Sequence, residues 1–255
     1  MAAKKKQETG LQTKELTDWQ KKLADKAKNA RAMVVQGVSR ITHKGGELQI
    51  DGKSVQGNKL PIIIIDSILA NEYYTTKFVE GVPCSPDCYA FGTDAATMAP
   101  HPEAPEKQSE TCAACPQNVY GTADGGNRAG KACRNTVRLL VVTPSDNPEA
   151  YAKQEKRQIS VPPTSLKQWG KFQTELTDLT VTGSPMEVVT ELSTRRKGSF
   201  HELTFEVKGK VPEKNVEAIF NLSEKSAGLL SQPFPKLEAP EAPAPRNARK
   251  SRKLD

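Results

Sequence analysis

The spacing of hydrophobic residues along the chain changes near residue 34. Between 11 and 33, apolar residues recur every three or four positions with lysines between them, which predicts an amphipathic helical arm. These apolar residues are Leu16, Trp19, Leu23 and Ala27. The arm either packs on the main domain or contacts a partner. Helical spacing returns over 164–177 and 212–230, where two further helices are predicted.

Strands are predicted over 34–69 and 137–208. Two alternating segments flank Lys44-Gly45-Gly46, a sequence typical of a hairpin turn. The branched run at 60–65 predicts a buried strand, and the aromatic-rich stretch at 72–78 predicts another extended segment. Two more strands, at 186–194 and 200–207, are expected to flank a basic turn at 195–199.

The remaining segments lack a regular apolar period. Residues 81–135 hold all five cysteines with many prolines and glycines, so this insert needs something other than an apolar core to order it. Residues 1–10 are polar, and 232–255 are rich in Pro and Ala and then basic, so both ends are predicted to be disordered. One domain is therefore expected over 34–231, with the cysteine insert inside it.

Composition narrows the class of partner. The 255 residues carry a net charge of +7 and only 36% hydrophobic residues, with a sequence pI of about 9.1. A basic chain attracts polyanions and releases their counterions on binding. No run of eighteen apolar residues exists, and no apolar segment follows the N-terminal lysines, so neither a membrane partner nor secretion is expected. The expected location is the cytoplasm, which would be that of the host cell for a viral protein.

The cysteines predict a structural zinc site. Cys112-Ala-Ala-Cys115 has the spacing of a metal-binding knuckle, and Cys133 lies within the usual span between two zinc half-sites. Either Cys88 or Cys84 supplies the fourth thiolate, with His101 as a possible substitute. The alternatives are unrelated thiols or a redox pair at Cys112 and Cys115. A redox pair calls for a thioredoxin-like βαβ context, which the surrounding sequence lacks.

Catalytic motifs are incomplete, so an enzyme with a small-molecule substrate is not expected. Residues 125–131 match the first seven positions of a phosphate-binding loop, but Ala132 stands where a Ser or Thr must hold magnesium. The histidines are scattered singly, and no acidic cluster indicates a two-metal nuclease. A flexible basic loop is the simpler interpretation of 125–131.

Basic and aromatic residues alternate along the chain, as single-stranded nucleic-acid binding requires. Candidate platforms for stacked bases are Tyr74, Tyr89, Phe91 and Tyr120, because these lie in segments without an apolar face to join. The candidate phosphate contacts are Arg128, Lys131, Arg134, Arg195, Arg196 and Lys197.

Several of these segments resemble the zinc-containing single-stranded DNA-binding proteins of bacteriophages and prophages. The similarity is carried by Ile62–Asp66, Asn71-Glu-Tyr-Tyr74, Cys88-Tyr89 with Gly92, Cys112-x-x-Cys115-Pro-x-Asn118, Gly130-Lys-Ala-Cys133, 161–167 and 188–190. It covers about 34–210. It implies an OB-like β-barrel with an inserted zinc ribbon at 81–135, held by four cysteines. In the family pattern a cysteine precedes an aromatic residue, which selects Cys88 as the ligand beside Cys112, Cys115 and Cys133, with Zn2+ as the structural cofactor.

The expected function is to coat and protect single-stranded DNA during phage replication or recombination, with replication proteins as further partners. The basic C-terminal tail departs from the acidic tails that many such proteins carry, so recruitment of partners by the tail is not expected. Three alternatives stay open: a zinc-ribbon transcription regulator that binds duplex DNA or a polymerase, a zinc-stabilised virion or scaffold protein, and an unrecognised nuclease.

Overall fold

The computed structural model describes residues 38–76, 84–123 and 130–234. The chain divides into two compact units, Met1–Gly37 and Val38–Asp255, and every described residue belongs to the second. The predictions for the disordered start at 1–10, the arm at 11–33, Arg128 and most of the tail at 232–255 lie outside the described residues.

The fold is mainly β, as predicted: a single curled sheet forms a half-barrel. Among the described residues the strand order is β3-β2-β1-β7-β6-β4-β8-β9, and β5 pairs with β4 outside this path. The strands are β1 (Ser39–Lys44), β2 (Glu47–Ile50), β3 (Lys53–Ser54), β4 (Lys59–Tyr73), β5 (Cys88–Gly92), β6 (Arg134–Val142), β7 (Arg157–Val161), β8 (Val188–Lys197) and β9 (Phe200–Lys210).

Strand β4 is the longest and organises the sheet. Its first residues pair with β8, and from Ile63 onward it pairs with β6. A bulge between Ile64 and Asp66 lies just after the point where the partner strand changes. A bulge of this kind increases the local bend and twist of the strand. The sequence predicts two separate extended segments here, at 60–65 and 72–78, but Lys59–Tyr73 is one strand. The polar residues Asp66 and Ser67 interrupt the hydrophobic pattern, but the strand continues through them and both residues pair with β6.

The two ends of the curled sheet meet through the predicted β1–β2 hairpin. Its turn holds Gly45 and Gly46, both at positive φ. The Asn58 side chain donates to the Gly46 carbonyl at 2.9 Å and to the Thr194 hydroxyl at 2.7 Å, so it links this turn to β8. A Cβ on Gly46 would collide with the His201 ring, which explains why the close approach needs glycine.

In the described part of the chain, three α-helices lie on the two faces of the sheet: α1 (Pro148–Tyr151), α2 (Leu166–Leu179) and α3 (Glu213–Lys225). The helices predicted over 164–177 and 212–230 are therefore observed, the second one ending earlier and followed by a short 3₁₀ turn at Leu229–Ser231. Phe172 and Leu176 of α2 pack into the core on the concave side. Ile219 and Leu222 of α3 cover part of the outer side.

One local prediction is wrong. The basic residues Arg195, Arg196 and Lys197 belong to β8 and not to a turn, because Lys197 pairs directly with Phe200 and only Gly198 and Ser199 form the connection. Strand β7 is not distinguished by the sequence pattern, since the stretch Arg157–Val161 is short and ends at two prolines. Among the helices that the structure describes, none has the length and apolar character needed to cross a bilayer.

Candidate nucleic-acid interface

A polar groove of about 460 Å³ runs over the outer face of β1, β7 and β6. The alternation of strand side chains creates it, because every second residue of β6 faces outward. Further along β6 the outward residues are apolar and are covered by α3. At the start of β6 that helical cover ends and the outward residues become polar. The groove is lined by Arg40, Glu72, Tyr74, Cys84, Ser85, Arg134, Thr136, Arg138, Gln158, Ser160 and Phe234.

Two arginines give the open part of the groove its charge. Arg40 and Arg134 are exposed, and neither has an ion pair with any residue that the structure describes. Both guanidinium groups are therefore available to an anion from solution. Arginine suits a phosphate partner because its planar fork can donate two hydrogen bonds at once.

Tyr74 lies at the edge of this groove and is half-buried. Its hydroxyl donates to Glu72 Oε2 at 3.4 Å. Burial raises the pKa of the phenol, and the Glu72 carboxylate raises it further. Tyr74 is therefore a neutral aromatic ring beside Arg134, which is the environment that the sequence prediction of a stacking platform requires.

Arg138 differs from the other two arginines, because it is only 4% exposed. Its Nη2 donates to Glu72 Oε1 and its Nη1 donates to the Leu230 carbonyl, both at 3.1 Å. The guanidinium contacts two rings, 4.3 Å from the centroid of Phe91 and 4.6 Å from that of Phe234. Burial lowers its pKa from the ordinary arginine value, and Glu72 opposes that shift. Arg138 therefore anchors the segment around 230–234 to the sheet and is not free to bind phosphate.

The predicted platforms Tyr89 and Phe91 lie under the same segment. Tyr89 is 2% exposed, stacks on His101 at 5.1 Å between centroids, and meets the edge of Phe234 at 5.0 Å. Phe91 stacks on Phe234 at 6.2 Å with an interplanar angle of 22°. Both rings are engaged with other side chains, and their role in stacking bases stays a prediction.

Tyr120 and Lys131 form a second, separate pair. The Tyr120 ring is 75% exposed, and Lys131 Nζ lies 4.9 Å from its centroid. Lys131 Nζ also donates to Asn118 Oδ1 at 3.1 Å. The structure brings these two predicted contact residues together, but the pair does not line the groove described above.

The basic end of β8 is partly neutralised by one buried carboxylate. Glu202 accepts from Arg195 Nη2 at 2.6 Å and from Lys197 Nζ at 3.3 Å. The hydrogen bond from Arg195 holds the pKa of Glu202 below the ordinary glutamate value, although burial opposes the shift. Arg196 is exposed and bonds only the Gly198 carbonyl among the described groups. Three cations and one carboxylate leave a net positive hairpin.

The predicted zinc site is wrong. No group of three or more His, Cys, Asp or Glu side chains among the described residues is arranged to hold a metal ion. Four cysteines do line one small cavity, of about 10 Å³, but as free and buried thiols. Burial raises the thiol pKa of Cys88, Cys112 and Cys133, the last to about 12. In this apolar setting, without a metal cation, these buried thiols keep their protons at neutral pH. The four residues are Cys88, Cys112, Cys115 and Cys133.

The alternative ligands do not complete a site either. Cys84 is exposed and lies near the Thr76 hydroxyl, at 3.6 Å from its oxygen. The Nδ1 atom of His101 accepts from the Glu103 amide at 3.1 Å, while its ring stacks on Tyr89. Among the described residues the insert is ordered by pairing of β5 with β4 and by a small core of Ala90, Met98 and Cys112.

Sequence reasoning missed half of the groove. Arg40, Gln158 and Ser160 come from β1 and β7, which are adjacent only because these two strands pair in parallel. The pairing is not local in sequence, so composition gave no signal for it. Arg134 and Tyr74 are the two predicted contacts that line the groove. The strand was predicted to begin only at 137, so the shared strand face of Arg134, Thr136 and Arg138 was not foreseen.

Comparisons of the chain with models of protein families, with curated proteins and with solved structures find no match. The resemblance to phage single-stranded DNA-binding proteins therefore stays a prediction.

Proposed function

We propose that this protein binds single-stranded DNA along the groove on the outer face of β1, β7 and β6, and that it coats and protects one strand during replication or recombination. The observation that carries the proposal is the groove itself, with a neutral ring, Tyr74, and two arginines, Arg40 and Arg134, that have no ion pair with a described residue. Single-stranded nucleic acid is held by this combination of a basic channel and aromatic platforms.

The strand order supports an OB-like barrel. In chain order, β4, β6 and β7 form an antiparallel meander, α2 follows, and β8 pairs both with β9 and with the first part of β4. OB folds bind oligonucleotides on the face of their second and third strands and with the loops that join strands one to two and four to five. Under this assignment β6 and β7 are the second and third strands, and they form the floor of the groove.

The same assignment accounts for the basic hairpin. The β8–β9 connection would be the loop between strands four and five, and β8 carries Arg195, Arg196 and Lys197 up to it. The connection between β4 and β6 would be the other loop that binds nucleic acid, and it contains Tyr74 and Tyr120. Phosphates would contact the arginines, and bases would stack on the exposed rings for about 1–3 kcal/mol each.

The mechanism is passive. A protein that binds one strand and not the duplex shifts the equilibrium toward separated strands by mass action. Neither a metal nor a nucleotide cofactor is needed for this role. Because phosphate contacts release counterions, affinity should fall steeply as the salt concentration rises.

Competition between single strands and duplex tests the proposal. A labelled single-stranded oligonucleotide is titrated with the full chain at low and at higher salt, and unlabelled single strand or duplex is added as competitor. Arg134→Ala removes a groove cation, and Lys214→Ala is the matched control, because Lys214 is exposed on α3 and does not line the groove. We expect single strands to compete, duplex to compete weakly, and only Arg134→Ala to lower the affinity.

Two results would overturn the proposal. Duplex that competes as well as single strands would favour a regulator of duplex DNA. A purified protein without salt-dependent affinity for nucleic acid would favour a scaffold role instead.

A further inference from the structure

A second cavity, of about 230 Å³, lies on the opposite side of β6 from the groove. It opens between the cysteine insert, β4, β6 and the first residue of α2. Its volume is below the range of about 300–1,000 Å³ that is typical of pockets for drug-sized ligands, so it fits a ligand about as large as one heterocyclic ring system. The lining residues are Leu69, Asn71, Ala95, Met98, Asn118, Lys131, Asn135, Thr136, Val137 and Leu166.

The cavity and the groove meet at the rim of the barrel. Arg134, the first residue of β6, lines the groove, while the next residue, Asn135, lines the cavity. Successive strand residues face opposite sides of a sheet, which explains this division. Thr136 contributes to the lining of both. A chain of nucleotides that crosses this rim would place a phosphate at Arg134 and the adjoining base next to Asn135.

The polar groups of the cavity have hydrogen-bonding capacity left over. Asn135 Nδ2 donates to Asn71 Oδ1 at 2.6 Å, which uses one of its two protons. Its Oδ1 has no hydrogen-bond partner among the described residues. Asn135 therefore offers one acceptor and one donor side by side. Asparagine uses this pair of groups to bind the N6 and N7 edge of adenine.

The other walls suit a flat aromatic ligand. Leu69, Met98 and Val137 supply apolar surface, and Lys131 supplies a cation at one side. Lys131 also lies over the exposed ring of Tyr120, which stands outside the cavity. Apolar walls with a few convergent polar groups are typical of sites for small ligands.

We propose that this cavity binds a single nucleobase, with adenine favoured by the amide of Asn135. As a base within a DNA strand, the ligand would extend the proposed function and rest on it. As a free nucleotide, it would not depend on that function. The chemistry of recognition is the same for both sources.

The test fills the cavity without removing a contact that supports the fold. Ala95 is exposed and lines the cavity, so Ala95→Leu should block the space while the protein stays folded. Ala152→Leu is the matched control at an exposed position after α1. Asn135→Ala is a second variant, which removes the amide. Binding of AMP, and of ribose 5-phosphate as a probe without a base, is measured by calorimetry on the full chain, beside titrations with single-stranded oligonucleotides.

The wild type should bind AMP at least roughly 10-fold more tightly than ribose 5-phosphate, the discrimination expected of one base contact. Ala95→Leu and Asn135→Ala should remove that difference, and Ala152→Leu should retain it. Loss of oligonucleotide affinity in Ala95→Leu identifies a base within a strand as the ligand, and unchanged oligonucleotide affinity identifies a free nucleotide. Equal binding of the two probes by the wild type, or a preference for AMP that survives Ala95→Leu, overturns the inference. Arg134 lies outside the cavity. The effect of Arg134→Ala on oligonucleotide binding therefore tests the proposed function separately.

Discussion

The outer face of β6 has an open end and a covered end, and the same types of residue behave differently at each. At the open end, Arg134 is exposed and without an ion pair among the described residues. At the covered end, Arg138 is buried against Phe91 and Phe234 and paired with Glu72. Charge and aromatic content alone do not separate a binding residue from a structural one. What separates them is whether another segment of the chain covers the position.

The largest difference between the two ends should appear in stability. Arg138→Met leaves the Glu72 carboxylate buried without its cation, so we expect the free energy of unfolding to fall by about 3–5 kcal/mol. Arg134→Met, at the open end, should change it by no more than about 0.5 kcal/mol. Urea denaturation measures both, and adding Glu72→Gln to Arg138→Met should recover part of the loss. Equal effects of the two single variants would mean that Arg138 is not an anchor.

Tyr74 tests the open end through binding. Tyr74→Ala removes the ring that lies beside Arg134, and we expect the binding free energy for single-stranded DNA to weaken by about 1–3 kcal/mol, the contribution of one stacked base. Tyr74→Phe keeps the ring and loses only the hydrogen bond to Glu72, so it should bind nearly as well as the wild type. Fluorescence titration checks both variants. If Tyr74→Phe binds single-stranded DNA as weakly as Tyr74→Ala, the loss of affinity is not due to loss of stacking on this ring.

Phe234 tests the covered end. Phe234→Ala removes a cation–π contact with Arg138 and two aromatic contacts, so the free energy of unfolding should fall by about 1–2 kcal/mol. Phe234 lines the groove, but its ring packs on Arg138 and Phe91. Its removal uncovers Phe91, so the affinity for single-stranded DNA should not decrease. Thermal or urea unfolding and a titration on the same sample measure the two effects. A folded Phe234→Ala protein with lower affinity would show that Phe234 itself belongs to the binding surface.

The smallest expected effect is a dependence on pH at the basic hairpin. Glu202 has a lowered pKa in the folded state, so its contribution to stability is complete above the unfolded pKa of about 4.3 and is lost as the pH falls through the folded value. Glu202→Gln lacks this carboxylate. Its free energy of unfolding should therefore change less than that of the wild type between about pH 6 and about pH 3. Identical pH profiles for the two proteins would show that Glu202 does not contribute to the pH dependence of stability.

Local pattern predicted much of the scaffold. Helical spacing gave α2 and α3, and the Gly45-Gly46 turn gave the β1–β2 hairpin, because these elements depend on residues near one another in sequence. The continuity of β4 through Asp66 and Ser67 could not be predicted, because its neighbours across the sheet, and not its own hydrophobic pattern, hold it extended.

The candidate site was less accessible to sequence reasoning. The burial of Arg138 depends on Leu230, which is 92 positions away, so its alternation with Arg134 gave no hint that only one of the two is free. The cysteine spacing predicted a zinc site that the described residues do not form. Spacing alone could not show that burial would raise the thiol pKa there. Protonation depends on the surroundings of a group, and spacing alone does not contain them.

The salt dependence of binding tests the central claim most directly. The affinity for a single-stranded oligonucleotide is measured over a series of salt concentrations for the wild type, for Arg40→Ala with Arg134→Ala, and for Lys214→Ala. If phosphates contact the open groove, the slope of log affinity against log salt should decrease by about 1.4 in the double variant, or about 0.7 for each lost contact, and stay unchanged in Lys214→Ala. An identical slope in all three proteins would show that nucleic acid, if bound, does not use this groove.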